Sequence, residues 1–138
     1  MPVNPNQPAA TIDVSAVHFA EIAPTLYSDI AEQAAKAVAA AAADGKRNRR
    51  SQLRRFYDEL VGFEARVRGN AERYAALAPY IQMMKAKAAY AQGRDFIDVN
   101  FAMLLRHLVD EIHDAQTLRS AKLFFEAFMA YYKLHGRD

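Results

Sequence analysis

Ser51-Gln52-Leu53-Arg54-Arg55-Phe56-Tyr57-Asp58-Glu59-Leu60-Val61-Gly62-Phe63-Glu64-Ala65-Arg66-Val67-Arg68 is the stretch that decides the fold class. Its large apolar residues, Leu53, Phe56, Tyr57, Leu60, Phe63 and Val67, recur every three or four positions, the spacing of one helix face. Downstream, Gly69 and Asn70 punctuate the chain, and a second helical segment covers residues 71–92, where Pro79 either kinks the helix or restarts it. A third covers 95–113, with Ile97, Phe101, Leu104, Leu105, Leu108 and Ile112 on one face. A fourth covers 117–136, with the stripe Leu118, Ala121, Phe125, Phe128 and Tyr132. Upstream, Pro24 suits the first turn of a helix reaching residue 43, whose alanine-rich second half favours helix and admits a close neighbour. A short element is expected over 14–22. No stretch alternates at period two, so strands are not expected. The reading is an all-α protein, a single compact helical bundle of about five helices. Pro2, Pro5 and Pro8 make residues 1–12 an expected disordered tail, leaving 13–138 as one all-helical domain.

Composition bounds the function. With 138 residues, 52% apolar and 25% charged, the chain is the size and kind of one globular domain. Its unbroken apolar run at 37–43 falls far short of the ~20 residues that span a bilayer. The polar, Pro-rich N-terminus does not read as a secretory leader, and a cytoplasmic location is expected. The absence of cysteine excludes disulfides and thiolate metal sites. The formal charge of +2 conceals an asymmetry: residues 46–94 carry +8, residues 1–45 carry −4 and residues 95–138 carry −2. A basic middle between mildly acidic ends suits one face for nucleic acid and others for protein partners.

The basic middle is concentrated. Lys46, Arg47, Arg49, Arg50, Arg54 and Arg55 fall within ten residues. They straddle an expected helix start, after Asp44 and Gly45 and around Ser51, a good capping residue. Cations in a first turn oppose the helix dipole by about 0.3–1 kcal/mol each. The same arrangement binds phosphate well, because unsatisfied N–H groups and cations point the same way. Arg54 with Asp58 and Arg55 with Glu59 also have the i,i+4 spacing of surface ion pairs. After Pro79, Tyr80, Met83, Lys87, Tyr90 and Arg94 share a helix face beside an apolar one formed by Ile81, Met84, Ala88 and Ala91. Aromatic rings interleaved with cations suit nucleic acid, and equally an amphipathic border whose long side chains snorkel.

Catalytic patterns are weak. His107, Asp110, Glu111, His113 and Asp114 could offer metal ligands from neighbouring turns, but their spacing matches no metal motif, and His18 and His135 are remote in sequence. A hydrated helix end accounts for the group more simply. There is no cysteine nucleophile, Ser15, Ser28, Ser51 and Ser120 lack a nearby histidine in sequence, and no glycine loop cradles phosphate. Phe124, Phe125, Phe128, Tyr131 and Tyr132 put five aromatics on one helix, mostly core, with room for a patch that meets another protein.

Three stretches in order carry a resemblance. They are residues 46–60 (KRNRRSQLRRFYDEL), 77–94 (LAPYIQMMKAKAAYAQGR) and 124–133 (FFEAFMAYYK). Together they resemble the Csm small-subunit family of type III-A CRISPR–Cas effector complexes, over roughly residues 20–136. The resemblance implies a small, all-helical, non-catalytic subunit with no cofactor, working in antiviral defence. Such subunits line up as a filament along the effector and contact the backbone of the guide-RNA–target-RNA duplex. Implied partners are guide RNA, target RNA, copies of itself, a repeated backbone subunit that cuts target RNA and a large polymerase-like subunit. Lys46, Arg54, Arg55, Lys85, Lys87 and Arg94 fall at the family's basic positions; Arg49 departs, standing where a small hydroxyl residue is expected.

Both lines meet on one expectation: a small subunit that binds RNA by its backbone, without sequence preference, through Lys46, Arg47, Arg49, Arg50, Arg54, Arg55, Lys85, Lys87, Tyr90 and Arg94, with no catalytic or metal-binding residues. Sequence would be read by base pairing between guide and target. Asn48 and Gln52 are the nearby candidates for base-edge contacts. The alternatives are a helical DNA-binding regulator with 51–68 as recognition helix, and a metal-dependent hydrolase using His107, Asp110 and His113.

Overall fold

The computed structural model describes residues 11–42 and 44–136. A π turn, Leu26–Ile30, runs directly into α1, Ala31–Ala41. The helices α2 (Arg50–Val67), α3 (Ala71–Gln82), α4 (Met84–Gly93), α5 (Val99–Asp110) and α6 (Ala115–His135) follow. The described residues contain no strand, and the expected all-α bundle is what forms. None of their helices is long and apolar enough to cross a membrane.

The starts of α3, α5 and α6 are set by small polar side chains. Asn70 accepts from Arg73 N–H at 2.9 Å to begin α3, and Asp98 accepts from Phe101 N–H at 3.0 Å to begin α5. At α6, Asp114 accepts from Thr117 N–H at 2.7 Å while Thr117 Oγ1 accepts from Asp114 N–H at 3.0 Å, a reciprocal capping box. These caps relocate two expected boundaries: α5 begins at Val99 rather than residue 95, and α6 begins two residues before Thr117. Asp95 instead occupies a left-handed turn at φ 59.

The segment 71–92 passes through Pro79 without stopping. It breaks at Met83 (φ −61, ψ −19), which ends α3 and precedes α4. The expected short element at 14–22 is not regular structure. It is an irregular strap with Val17 and Phe19 buried, Phe19 packing against Phe124 at 6.0 Å between ring centroids. Thr11 and Ile12 belong to the strap: both backbone N–H groups donate to Asn100 Oδ1, at 2.6 and 2.9 Å. Of the tail expected over residues 1–12, Thr11 and Ile12 are bonded to α5 in this way, and residues 1–10 lie outside the described residues.

The core is aromatic. Phe101 on α5 meets Phe56 on α2 at 5.8 Å, and Phe125 and Phe128 on α6 each at 6.1 Å. Phe128 stacks on Tyr132 at 5.7 Å. Such pairs add about 0.5–1.5 kcal/mol each beyond burial. Of the α6 aromatics, Phe124, Phe125, Phe128 and Tyr132 are buried and Tyr131 is half-buried. They make core rather than an open patch. The alanine face of α1, Ala31, Ala34 and Ala35 with Val38, is buried against α6 as its small side chains suggest.

Candidate nucleic-acid interface

The basic run sits on a short loop and the start of α2. Asp44 accepts backbone N–H bonds from Lys46 at 2.9 Å and Arg47 at 3.3 Å. The first of these, more than any charge, holds its carboxyl below the usual carboxylate range. Arg49 is the N-cap of α2, in extended conformation and without a side-chain cap bond, and the first turn holds no acidic residue. Ser51, expected as the cap, lies one residue inside the helix. With the cap position given to a cation, the helix's own first turn supplies no side chain to balance the positive end of its dipole.

The ten candidate residues divide by environment. Lys46, Arg49, Arg54 and Arg55 are exposed, and Arg50 is half-buried. Arg54 Nε lies 3.9 Å from Asp58 Oδ2 with both side chains in water, a pair that adds little stability. Arg47 is different. Its side chain is 10% exposed and reaches Asp44 Oδ2 at 2.9 Å and Asp95 Oδ1 at 3.2 Å. It ties the loop to the α4–α5 turn, so its charge is spent inside the protein. Asn48, weighed for base contacts, is wholly buried, and its side chain bonds inward to α1 and to Asp98.

The second set comes from α4. Lys85 pairs with Asp110 of α5. Lys87 Nζ meets Glu59 Oε1 of α2 at 2.6 Å, so Glu59 turns to Lys87 rather than to Arg55. Arg94 donates to Tyr90 Oη at 2.9 Å, and its guanidinium lies 5.8 Å from the Tyr90 ring centroid and 5.4 Å from that of Phe96. Tyr80, Met83 and Tyr90 are more than half exposed. Of the two basic stretches, Arg55 from α2 and Lys87 and Tyr90 from α4 line one cavity between these helices, while Lys85 is turned to α5.

The histidine group serves other ends. His107 Nε2 lies 2.6 Å from Val17 O and 3.7 Å from Glu111 Oε1. His18, remote in sequence, is brought to 3.3 Å from the same carboxylate oxygen. Asp114 caps α6, which holds its carboxyl below the usual range chiefly through the Thr117 N–H bond. Among the described residues, no three of these side chains are arranged to hold a metal ion.

Sequence reading passed over Asn48, Asp98 and Asn100 as a unit. Asn100 Nδ2 donates to Asp98 Oδ2 at 2.8 Å, and all three residues are buried. The signal available was polar residues inside apolar helical periodicity, together with an asparagine in a basic loop where a left-handed turn is needed.

A protein-family model described as Csm2 Type III-A matches residues 25–138. No curated protein and no solved structure matches the chain.

Proposed function

From the premise that this chain belongs to the Csm2 type III-A family, and so is a small subunit of a Csm CRISPR complex, we propose that its basic face holds RNA by the phosphate backbone. The family is one of non-catalytic small subunits, and the chain carries its work in a surface. The contacts assigned to that surface are Lys46, Arg49, Arg50, Arg54 and Arg55 from the loop and α2, and Lys85, Lys87, Tyr90 and Arg94 from α4 and its end. Arg47 belongs to the expected set but acts one step removed, by fixing the loop that carries its neighbours. The partners are guide and target RNA, the other Csm subunits and further copies of this chain.

The observation that supports this reading is that Arg55 of the first basic stretch and Lys87 and Tyr90 of the second line one cavity, on a helix whose first turn has no acidic residue and no side-chain cap. Phosphate supplies what that end lacks. Lys85 and Lys87 are held by Asp110 and Glu59 and exchange those partners for phosphate. Backbone contact carries no sequence information, so pairing between guide and target supplies it.

A salt series of binding to short RNA tests the proposal. Each neutralised phosphate contributes about 0.7 to the log–log slope for a single strand, so a Lys46/Arg50/Arg54/Lys87 alanine variant is expected to lose about three units of slope. A slope indifferent to the four substitutions would remove RNA from this face.

A further inference from the structure

Tyr80, Tyr90, Arg55, Arg66 and Lys87 line a groove. Across it the Lys87–Glu59 pair joins α4 to α2 and stands between two cavities. One, of about 350 Å³, is walled by Phe63, Leu77, Tyr80 and Met83. The other, of about 230 Å³, is walled by Phe56, Tyr90, Ala91 and Phe96. Glu59 and Lys87 line both.

The two cavities share a plan. Each has an apolar wall and a rim tyrosine, Tyr80 at 57% exposure and Tyr90 at 63%. The first is also lined by Arg66, whose guanidinium lies 5.0 Å from the Phe63 centroid; the second is lined by Arg55, and its wall residue Phe96 has the Arg94 guanidinium 5.4 Å from its centroid. Tyr80, Met83 and Tyr90 are three of the six large hydrophobic residues exposed among the described residues. Gripping a duplex backbone needs the cations but not these rings, because paired bases keep their faces inside the helix. Unpaired bases offer flat faces, which stack on aromatic rings and guanidinium planes.

Resting on the RNA-backbone reading, we infer that the groove between α2 and the α3–α4 segment seats unpaired nucleobases of an RNA strand, one in each cavity, with Lys87 taking the strand's phosphate. Glu59 occupies the phosphate's place in the free protein. It keeps Lys87 aimed across the groove and leaves when the strand enters, so binding exchanges one anion for another. The positive charge of Arg55, Arg66, Lys87 and Arg94 against Glu59 selects a polyanion over an apolar peptide as occupant.

The test uses the full chain and fluorescence anisotropy at one low salt concentration. Three labelled probes of equal length are compared: single-stranded oligouridylate, an abasic ribose-phosphate chain and blunt RNA duplex. Oligouridylate is expected to bind about tenfold tighter than the abasic chain, the effect of stacking one or two bases. Tyr80→Leu combined with Tyr90→Leu is expected to close that gap, and Glu59→Gln to tighten both single-stranded probes several-fold. Helical circular dichroism and an unchanged melting temperature establish that the variants fold. Equal affinity for oligouridylate and the abasic chain would overturn the base seats and leave the backbone reading standing. A base preference that survives the double tyrosine substitution would overturn them too, and an unchanged Glu59→Gln would overturn the anion exchange. If none of the three probes binds, both readings fall.

Discussion

Asn48 and Asp98, fifty residues apart, are bonded in both directions: Asp98 N–H donates to Asn48 Oδ1 at 2.9 Å, and Asn48 Nδ2 donates to Asp98 Oδ1 at 2.7 Å. Asn48 also donates through its backbone N–H to Phe96 O and through Nδ2 to Val38 O, and its carbonyl accepts from Tyr132 Oη at 2.5 Å. At φ 59 it holds a conformation that asparagine tolerates better than most residues. One residue of the basic loop is thereby fastened to α1, to the start of α5 and to α6. Asn48→Ala is expected to destabilise the protein by about 2–4 kcal/mol, since it strands buried partners and leaves a left-handed alanine. Asn48→Asp should cost more, because it sets a carboxylate against Asp98. Urea unfolding ranks the variants, and a wild-type-like Asn48→Ala midpoint would refute the account.

Tyr132 gives a pH signature. Burial, and secondarily the charge of Asp98, raise its hydroxyl pKa well above the ordinary tyrosine value. In the unfolded chain it ionises near pH 10, while in the folded chain it keeps its proton. Its stabilising contribution is thus fully present below about pH 10 and declines as pH rises beyond that, because unfolding then releases a proton. Tyr132→Phe is expected to flatten the alkaline fall in melting temperature while lowering the neutral-pH value. Tyr57 and Tyr74 are raised in the same direction, mainly by burial, so the fall is reduced and not abolished.

Asp114 works at the opposite end of the scale. Its folded pKa is depressed, so its contribution is present above the unfolded value of about 3.9 and is lost as pH falls through the folded value. Asp114→Ala is expected to cost about 1 kcal/mol near neutrality, the ordinary loss of an N-cap, and to show a shallower acid limb than wild type. Parallel acid limbs would place the acid sensitivity elsewhere.

Arg47 and Arg54 separate architecture from binding. Arg47→Ala should lower stability by about 1–2 kcal/mol by releasing its two carboxylate partners. Arg54→Ala should leave stability within about 0.5 kcal/mol, as for an exposed pair, and weaken RNA binding. Arg54→Glu with Lys87→Glu should deepen that loss with helicity intact, as circular dichroism alongside RNA titration would show. A folded double variant with undiminished affinity would refute the assigned surface.

What the sequence discloses here is periodicity. The 3.6-residue rhythm of Leu53 to Val67 and of Ile97 to Ile112 places α2 and α5, because burial demands one apolar face and that demand is local. Boundaries are less legible. Asp98 and Asp114 act as caps through a bond to a backbone N–H three residues on, a choice that many polar residues upstream of a helix could make. The irregular strap is least legible, since Val17 and Phe19 are buried by partners more than eighty residues away without any period of their own. The same holds at the interface. Exposed cations at 46–55 can be counted from the sequence, but Arg47 turns inward because Asp95 arrives beside it, and His18 reaches Glu111 only after the strap has docked. Long-range pairing decides which charge stays in the protein and which is offered to solvent.

The break at Met83 bears on how the groove is gauged. It puts Tyr80 and Tyr90 on separate helices: α3 leans on α2, while α4 is tied to α5 through Lys85 and Asp110 and to α2 through Lys87 and Glu59. The helices α2 and α5 also meet through the Phe56–Phe101 ring contact in the core. Phe56 thus has one side on the cavity and the other on Phe101, so the seat's wall is braced from the core. Tuning the grip of this surface is a matter for the interior as much as for the residues that touch the ligand.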